Sequence, residues 1–147
     1  MTGDFSSVPG FMGRHLPFLL AASDKYIKPA VRYQGCAYDS GVDFLLPNQY
    51  FTLWSTSDSQ IRSTLETFAS AGEQLEDLAI SKEDLRGYIL SAYAQALPPS
   101  GMLNGRMRFL RRRLFGISTD HINKMITDIR NSSLKDQKTA ARLIHKI

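Results

Sequence analysis

The chain has 147 residues, 43% of them hydrophobic and 22% charged, a composition that describes one globular domain and excludes a disordered tail. A chain of this length buries roughly 70% of its unfolded surface, and its longest apolar stretch, Leu16–Ala22 with Pro17 inside it, is far below the roughly 20 residues of a membrane span. The net charge of +4 is uneven: residues 1–73 carry five basic and seven acidic side chains, whereas residues 74–147 carry thirteen and seven.

In chain order, residues 1–13 read as a flexible N-terminal segment and residues 14–147 as a single α+β domain. No basic stretch, apolar core and cleavage site open the chain, so the expected address is cytoplasmic or organellar rather than secreted. Leu16, Leu19, Leu20, Ser23 and Ile27 fall at helical spacing, which predicts a helix over 15–28 that Pro29 stops. A glycine-punctuated stretch follows from Arg32 to Gly41 and runs into Val42, Phe44 and Leu46 at alternate positions. After a turn at 47–49, Phe51 and Leu53 alternate with Thr52 and Trp54. The two runs read as an antiparallel hairpin.

From Ser57 onward the period is near 3.6. Ser57 with Gln60 forms a capping-box pattern ahead of the stripe Ile61, Leu65, Phe68, Gly72 and Leu75. Ser81 with Asp84 starts a second helix, carrying Leu85, Tyr88, Ile89, Ala92, Tyr93 and Ala96 until Pro98 and Pro99 end it. Leu103, Met107, Leu110 and Leu114 make a third stripe closed by Gly116. Ser118 reads as the N-cap of a fourth helix, stapled by Ile117 and Ile122 and continued by Met125, Ile126 and Ile129; a last helix starts near Ser133 and carries Leu143, Ile144 and Ile147. Strands and helices are therefore segregated, as in α+β folds. Two strands are few for so many helices, so the chain is expected to be a truncated part of a larger domain.

None of His15, His121 and His145 has a second histidine or a glutamate three or four residues on, so the helical zinc-peptidase motif is absent and no metal is expected in this chain. Cys36, the single cysteine, excludes an internal disulfide and reads as a buried structural residue. Gly35 and Gly41 lack the spacing of a phosphate loop. Five arginines lie within residues 106–113 around the third apolar stripe, the pattern of a helix whose arginines face water. The rival reading is a small basic helical module that binds nucleic acid or an acidic partner through them. Arg32 and Tyr38 flank a short glycine-containing turn at the mouth of a strand. An arginine fork holds a peptide carbonyl or carboxylate, and a tyrosine hydroxyl donates to an oxyanion.

The run Arg32-Tyr33-Gln34-Gly35-Cys36-Ala37-Tyr38 resembles the arginine–glycine–tyrosine segment in the C-terminal half of pitrilysin/insulinase-family zinc metallopeptidases, closest to the presequence-protease branch. Residues 51–58, the Thr64-Leu65-Glu66 helix start, residues 78–85, Tyr88-Ile89, Pro98 and the Arg-Leu-Phe-Gly segment ending at Gly116 follow that branch's order over roughly residues 14–140. Such enzymes are clamshells whose two halves enclose a peptide. The resemblance implies a fragment of the non-catalytic substrate-chamber domain, inactive alone, with zinc, its ligands and the catalytic glutamate in the N-terminal half of the parent enzyme. Its implied partners are that half and the peptide substrate; no membrane partner is implied, and nucleic acid ranks below both. It assigns Arg32 to holding the peptide and Tyr38 to the scissile carbonyl as it becomes an oxyanion. Cys36 and Asp39 stand where the family pattern has glycines, and Ser59 where it has proline. Exposed surface over residues 102–114 or unpaired strand edges would let the isolated fragment self-associate.

Overall fold

A computed structural model describes residues 2–4, 13–45, 50–97, 107, 110 and 112–145. The fold is α+β: a three-stranded antiparallel sheet in the order β1-β3-β2 lies beside a helical body. The hairpin is formed by β2 (Asp39–Leu45) and β3 (Tyr50–Thr56), with Val42 opposite Leu53 and Gly41 opposite Trp54. Val42, Phe51 and Leu53 are buried, so the alternation read from the sequence marks the inward face. The turn at 47–49 lies outside the described residues.

Three sequence expectations are corrected. Thr2–Asp4, assigned to the flexible N-terminal segment, form β1 and pair with Tyr50, Phe51 and Thr52 on the edge of β3. Three residues carry no period, so only the distant partner strand defines this one. Pro29 does not stop the first helix. After a 3-10 turn, Gly13–His15, α1 (Leu16–Ala22) runs on as π-helical turns over Ser23–Gln34. Widening to five-residue hydrogen bonds carries the ring past the carbonyl four residues back, which it would strike in an α-helix. The Asp24 carbonyl that Pro29 cannot bond belongs to an exposed residue, within reach of water. Finally, Ser57 has φ 49° and lies outside the next helix, whose N-cap is Gln60. Asp58 organises this entry: its carboxylate accepts from the Gln60 N–H at 2.8 Å and the Ser55 hydroxyl at 2.9 Å. Hydrogen bonds from Thr64, then Gln60, hold its carboxyl below the usual carboxylate range.

The helix of residues 16–34 is the hub. Its α1 part packs on α2 (Ile61–Asp77), α3 (Lys82–Ala96) and the C-terminal helix; its π-helical part packs on β2 and α2. It contributes Leu16, Phe18, Leu19, Ile27 and Val31 to the core, where Phe68, Leu75 and Leu85 meet them. The stripe expected on α2 is buried only from Phe68 onward, at Phe68, Gly72 and Leu75, whereas Ile61 and Leu65 are exposed.

The remaining caps follow the sequence closely. Ser81 and Asp84 form the expected capping box. Gly116, at φ 64°, receives the chain after helical residues 112–114; its N–H bonds Arg113 O and that of Ile117 bonds Arg112 O, a Schellman pair. Ser118 caps α4 (Thr119–Arg130), its hydroxyl accepting from the His121 N–H at 3.1 Å. Ser133 and Asp136 cap a 3-10 turn leading into α5 (Gln137–His145). Gln137 then donates its side-chain amide to Leu75 O at 2.9 Å and Leu78 O at 2.8 Å, satisfying carbonyls at the end of α2.

The hub is tied to α3 by polar contacts. Lys25 Nζ lies 2.7 Å from Asp84 Oδ2, and the Tyr88 hydroxyl donates to Asp24 at 3.0 Å. The bond from Lys25 and those from Ser81 lower the Asp84 pKa. Because the folded carboxyl titrates below its unfolded value near 3.9, its stabilisation is present above that value and is lost as pH falls through the folded pKa. Asp84→Asn should therefore lower the melting temperature at pH 7, and the gap should close below about pH 4. A constant gap across an acid titration would contradict this assignment.

Candidate functional site

The corner between the hub helix and β2 holds Arg32 and Tyr38. Its backbone is tightly specified: the Gly35 N–H bonds Ala30 O at 2.9 Å, the Ala37 N–H bonds Val31 O at 3.1 Å, and Val31 and Ala37 are buried beneath it. A Cβ on Gly35 would stand 2.7 Å from Val31 O, so the close approach of helix end and turn needs glycine there. The chain then passes through Cys36 at φ 60°.

The Tyr38 N–H bonds Thr56 O at 3.0 Å, while the ladder sets Thr56 opposite Asp39. Two residues thus face one at the strand entrance, the count of a β-bulge, and such bulges re-aim side chains. Tyr38 is 77% exposed and Tyr33 69%. The Arg32 guanidinium sits 5.6 Å from the Tyr33 ring centre, within cation–π range, and its Nη1 lies 3.8 Å from Asp39 Oδ1. That same oxygen accepts from the Ser40 N–H at 2.9 Å. With both partners about half exposed, the ion pair contributes at most about 1 kcal/mol. The corner therefore offers solvent a lightly held guanidinium and a phenol hydroxyl without a hydrogen-bond partner among the described residues.

Arg32 and Tyr38 are brought to one corner, linked through Asp39 rather than by direct contact. Tyr33, which stacks under the guanidinium, is the residue next to Arg32 in the sequence, and that adjacency is its one local signal. Cys36 corrects the expectation of a buried thiol: it is exposed, because the left-handed turn directs an otherwise core-prone side chain outward. Left-handed backbone costs an ordinary L-residue roughly 1–2 kcal/mol. Cys36→Gly should accordingly raise stability by about 0.5–1 kcal/mol after glycine's added unfolded-state entropy, read as a higher denaturation midpoint. An unchanged or lower midpoint would show that the turn is not strained.

Other sequence candidates lie apart from this corner. His15 is buried, whereas His121 and His145 are exposed. His145 shares an open cleft of about 250 Å³ with Glu73, Glu76 and Arg142. Among the described residues no three histidine, cysteine or acidic side chains are grouped to hold a metal ion. Arg106, Arg108 and Arg111 lie outside the described residues; Arg112 is half-buried and Arg113 exposed. The apolar stripe those arginines were expected to flank is itself exposed at Met107, Leu110 and Leu114. These three positions belong to the surface over residues 102–114 named above, and periodicity by itself defines such a face without saying what covers it.

No protein-family model and no curated protein sequence matches the chain.

Proposed function

We propose that this chain forms part of the non-catalytic, substrate-chamber domain of a zinc-dependent metalloendopeptidase of the pitrilysin/insulinase type. Arg32 holds a peptide carbonyl or carboxylate and Tyr38 donates a hydrogen bond to the scissile carbonyl as negative charge develops on it. The observation that carries this reading is the conformation of the turn between them. Cys36, with φ 60°, stands where the presequence-protease pattern has glycine. A left-handed residue is what such a glycine is suited to provide.

Several further features support the reading. Both side chains lie at least partly in solvent, as groups must that meet a substrate across a closing interface. Asp39, which replaces another glycine of the pattern, gives Arg32 a weak resting partner that a bound peptide can displace. The zinc that polarises the carbonyl and activates water belongs to the other half of the enzyme, so this half contributes positioning and charge stabilisation.

Trans-complementation tests the reading. The chain should hydrolyse no peptide alone and should restore turnover when mixed with a separately produced, zinc-bearing N-terminal half of a presequence-protease-type enzyme. Peptide hydrolysis by the chain alone, or failure to raise turnover above that of the N-terminal half by itself, would contradict it.

A further inference from the structure

The two faces of the hairpin differ. Ser40, Val42, Phe51 and Leu53 are buried, so by the strand's period of two Asp39, Gly41 and Asp43 lie on the other face, with Thr56, Trp54 and Thr52 opposite them on β3. Gly41 leaves room there for the indole: a Cβ at that position would stand 3.1 Å from Trp54 Cζ2 and 3.3 Å from Cε2. The ring therefore lies across β2. That strand ends the order β1-β3-β2, so the backbone edge beyond the ring has no strand partner among the described residues. Trp54 is half-buried, and its indole N–H is covered and has no hydrogen-bond partner among the described residues. What it offers outward is ring surface.

Carboxylates flank the ring. Asp39 and Asp43 stand two residues before and after Gly41, which makes them the diagonal cross-strand neighbours of Trp54, roughly 7–8 Å away in such ladders. Arg32 partly neutralises Asp39 across 3.8 Å, whereas Asp43 is exposed and forms no ion pair among the described residues. An aromatic ring between carboxylates recognises a guanidinium or ammonium, by cation–π attraction to the ring and by charge to the aspartates. The free edge decides what carries that cation. An extended segment added to β2 sets one side chain opposite Gly41, against the ring, and the residues two places away opposite Asp39 and Asp43. A second copy paired edge to edge about Gly41 would set aspartates against aspartates. Anionic lipid and nucleic acid carry the wrong sign, and no helix among the described residues is long and apolar enough to cross a membrane.

We propose that the β2 edge binds an extended segment of a partner protein with arginine or lysine at alternate positions, the one opposite Gly41 stacking on Trp54 and a neighbour pairing with Asp43. The carboxylates that keep uncharged and acidic strands off this edge thereby select a basic one. Binding there draws on neither the Tyr38 hydroxyl nor zinc, so it does not depend on the peptidase reading.

Trp54 is the one tryptophan of the chain, so its emission reports on this ring alone. Titrating the full chain with a short capped peptide that alternates arginine and threonine should change that emission saturably, and the binding should weaken near 1 M salt, where the screening length is roughly 3 Å. The same peptide with citrulline, an uncharged isostere, in place of arginine should bind at least about fivefold more weakly. A version N-methylated at alternate residues, which cannot pair with β2, should not bind. Asp43→Asn should cost about threefold to fivefold and, at an exposed position, keep the parent's melting temperature; Asp43→Ser is the second variant should the amide lower it. No emission change, equal binding of the citrulline or N-methylated peptide, or full binding by the Asp43 variants would overturn the proposal.

Discussion

Replacing Gly72 by alanine is expected to destabilise the chain by about 2 kcal/mol, whereas the same change at Gly87 should stabilise it by about 1 kcal/mol. Both glycines lie inside helices, where alanine gains roughly 1 kcal/mol of propensity. What differs is the space above them. A Cβ on Gly72 would stand 2.7 Å from His145 N, 2.9 Å from Ala141 O and 3.0 Å from His145 Cα. All three are backbone atoms of α5, so no side chain can turn aside and α2 and α5 must separate. That separation would disturb buried Ala140, Ala141, Leu143 and Ile144 on one helix and Phe68, Ala71 and Leu75 on the other. Around Gly87 nothing lies within 4 Å of a built Cβ, so only the propensity gain remains. Paired thermal or urea denaturation measures both signs. A Gly72→Ala variant as stable as the parent or more so would show that α2 and α5 do not pack at glycine distance.

The second large effect concerns Tyr38. Within a complemented enzyme Tyr38→Phe removes one hydroxyl from a residue 77% exposed, so folding should be nearly indifferent to it. If the hydroxyl meets the carbonyl oxygen only as charge builds there, its loss acts on the chemical step and leaves substrate affinity nearly alone. Loss of one donor of this kind lowers turnover by about 10²–10³-fold. Arg32→Ala should instead act mainly on KM, because a group that holds the peptide contributes about equally before and during reaction.

Much of the helical half is legible in the sequence because its signals are local. The Ser81–Asp84 box, the glycine at 116, the Ser118 cap and the Ser133 start each act within a turn of themselves. The hairpin is legible from the period of two that buries Val42, Phe51 and Leu53. What is missed depends on a distant strand edge or on local hydrogen-bond choices that residue patterns do not fix. Thr2–Asp4 are a strand only because β3 offers an edge. Asp58, rather than Ser57, orders the entry to α2 because it also reaches back to Ser55. Pro29 stays within its helix by a change of ladder that residue preferences do not encode.

The candidate corner divides in the same way. The residue types at 32 and 38 are visible in the sequence, as is the glycine between them. The left-handed conformation of Cys36, the outward thiol, the bulge opposite Thr56 and the Tyr33 stacking arise from how the helix end meets the sheet. The exposure of Leu114 and Phe115 is equally tertiary: an amphipathic pattern reads the same whether its apolar side meets a core or faces water.

The central claim is tested most directly by steady-state kinetics of the chain complemented with a zinc-bearing N-terminal half, comparing the parent sequence with Tyr38→Phe. The account predicts kcat lower by about a hundredfold or more, with KM changed less than about threefold. An unchanged kcat for Tyr38→Phe would contradict it.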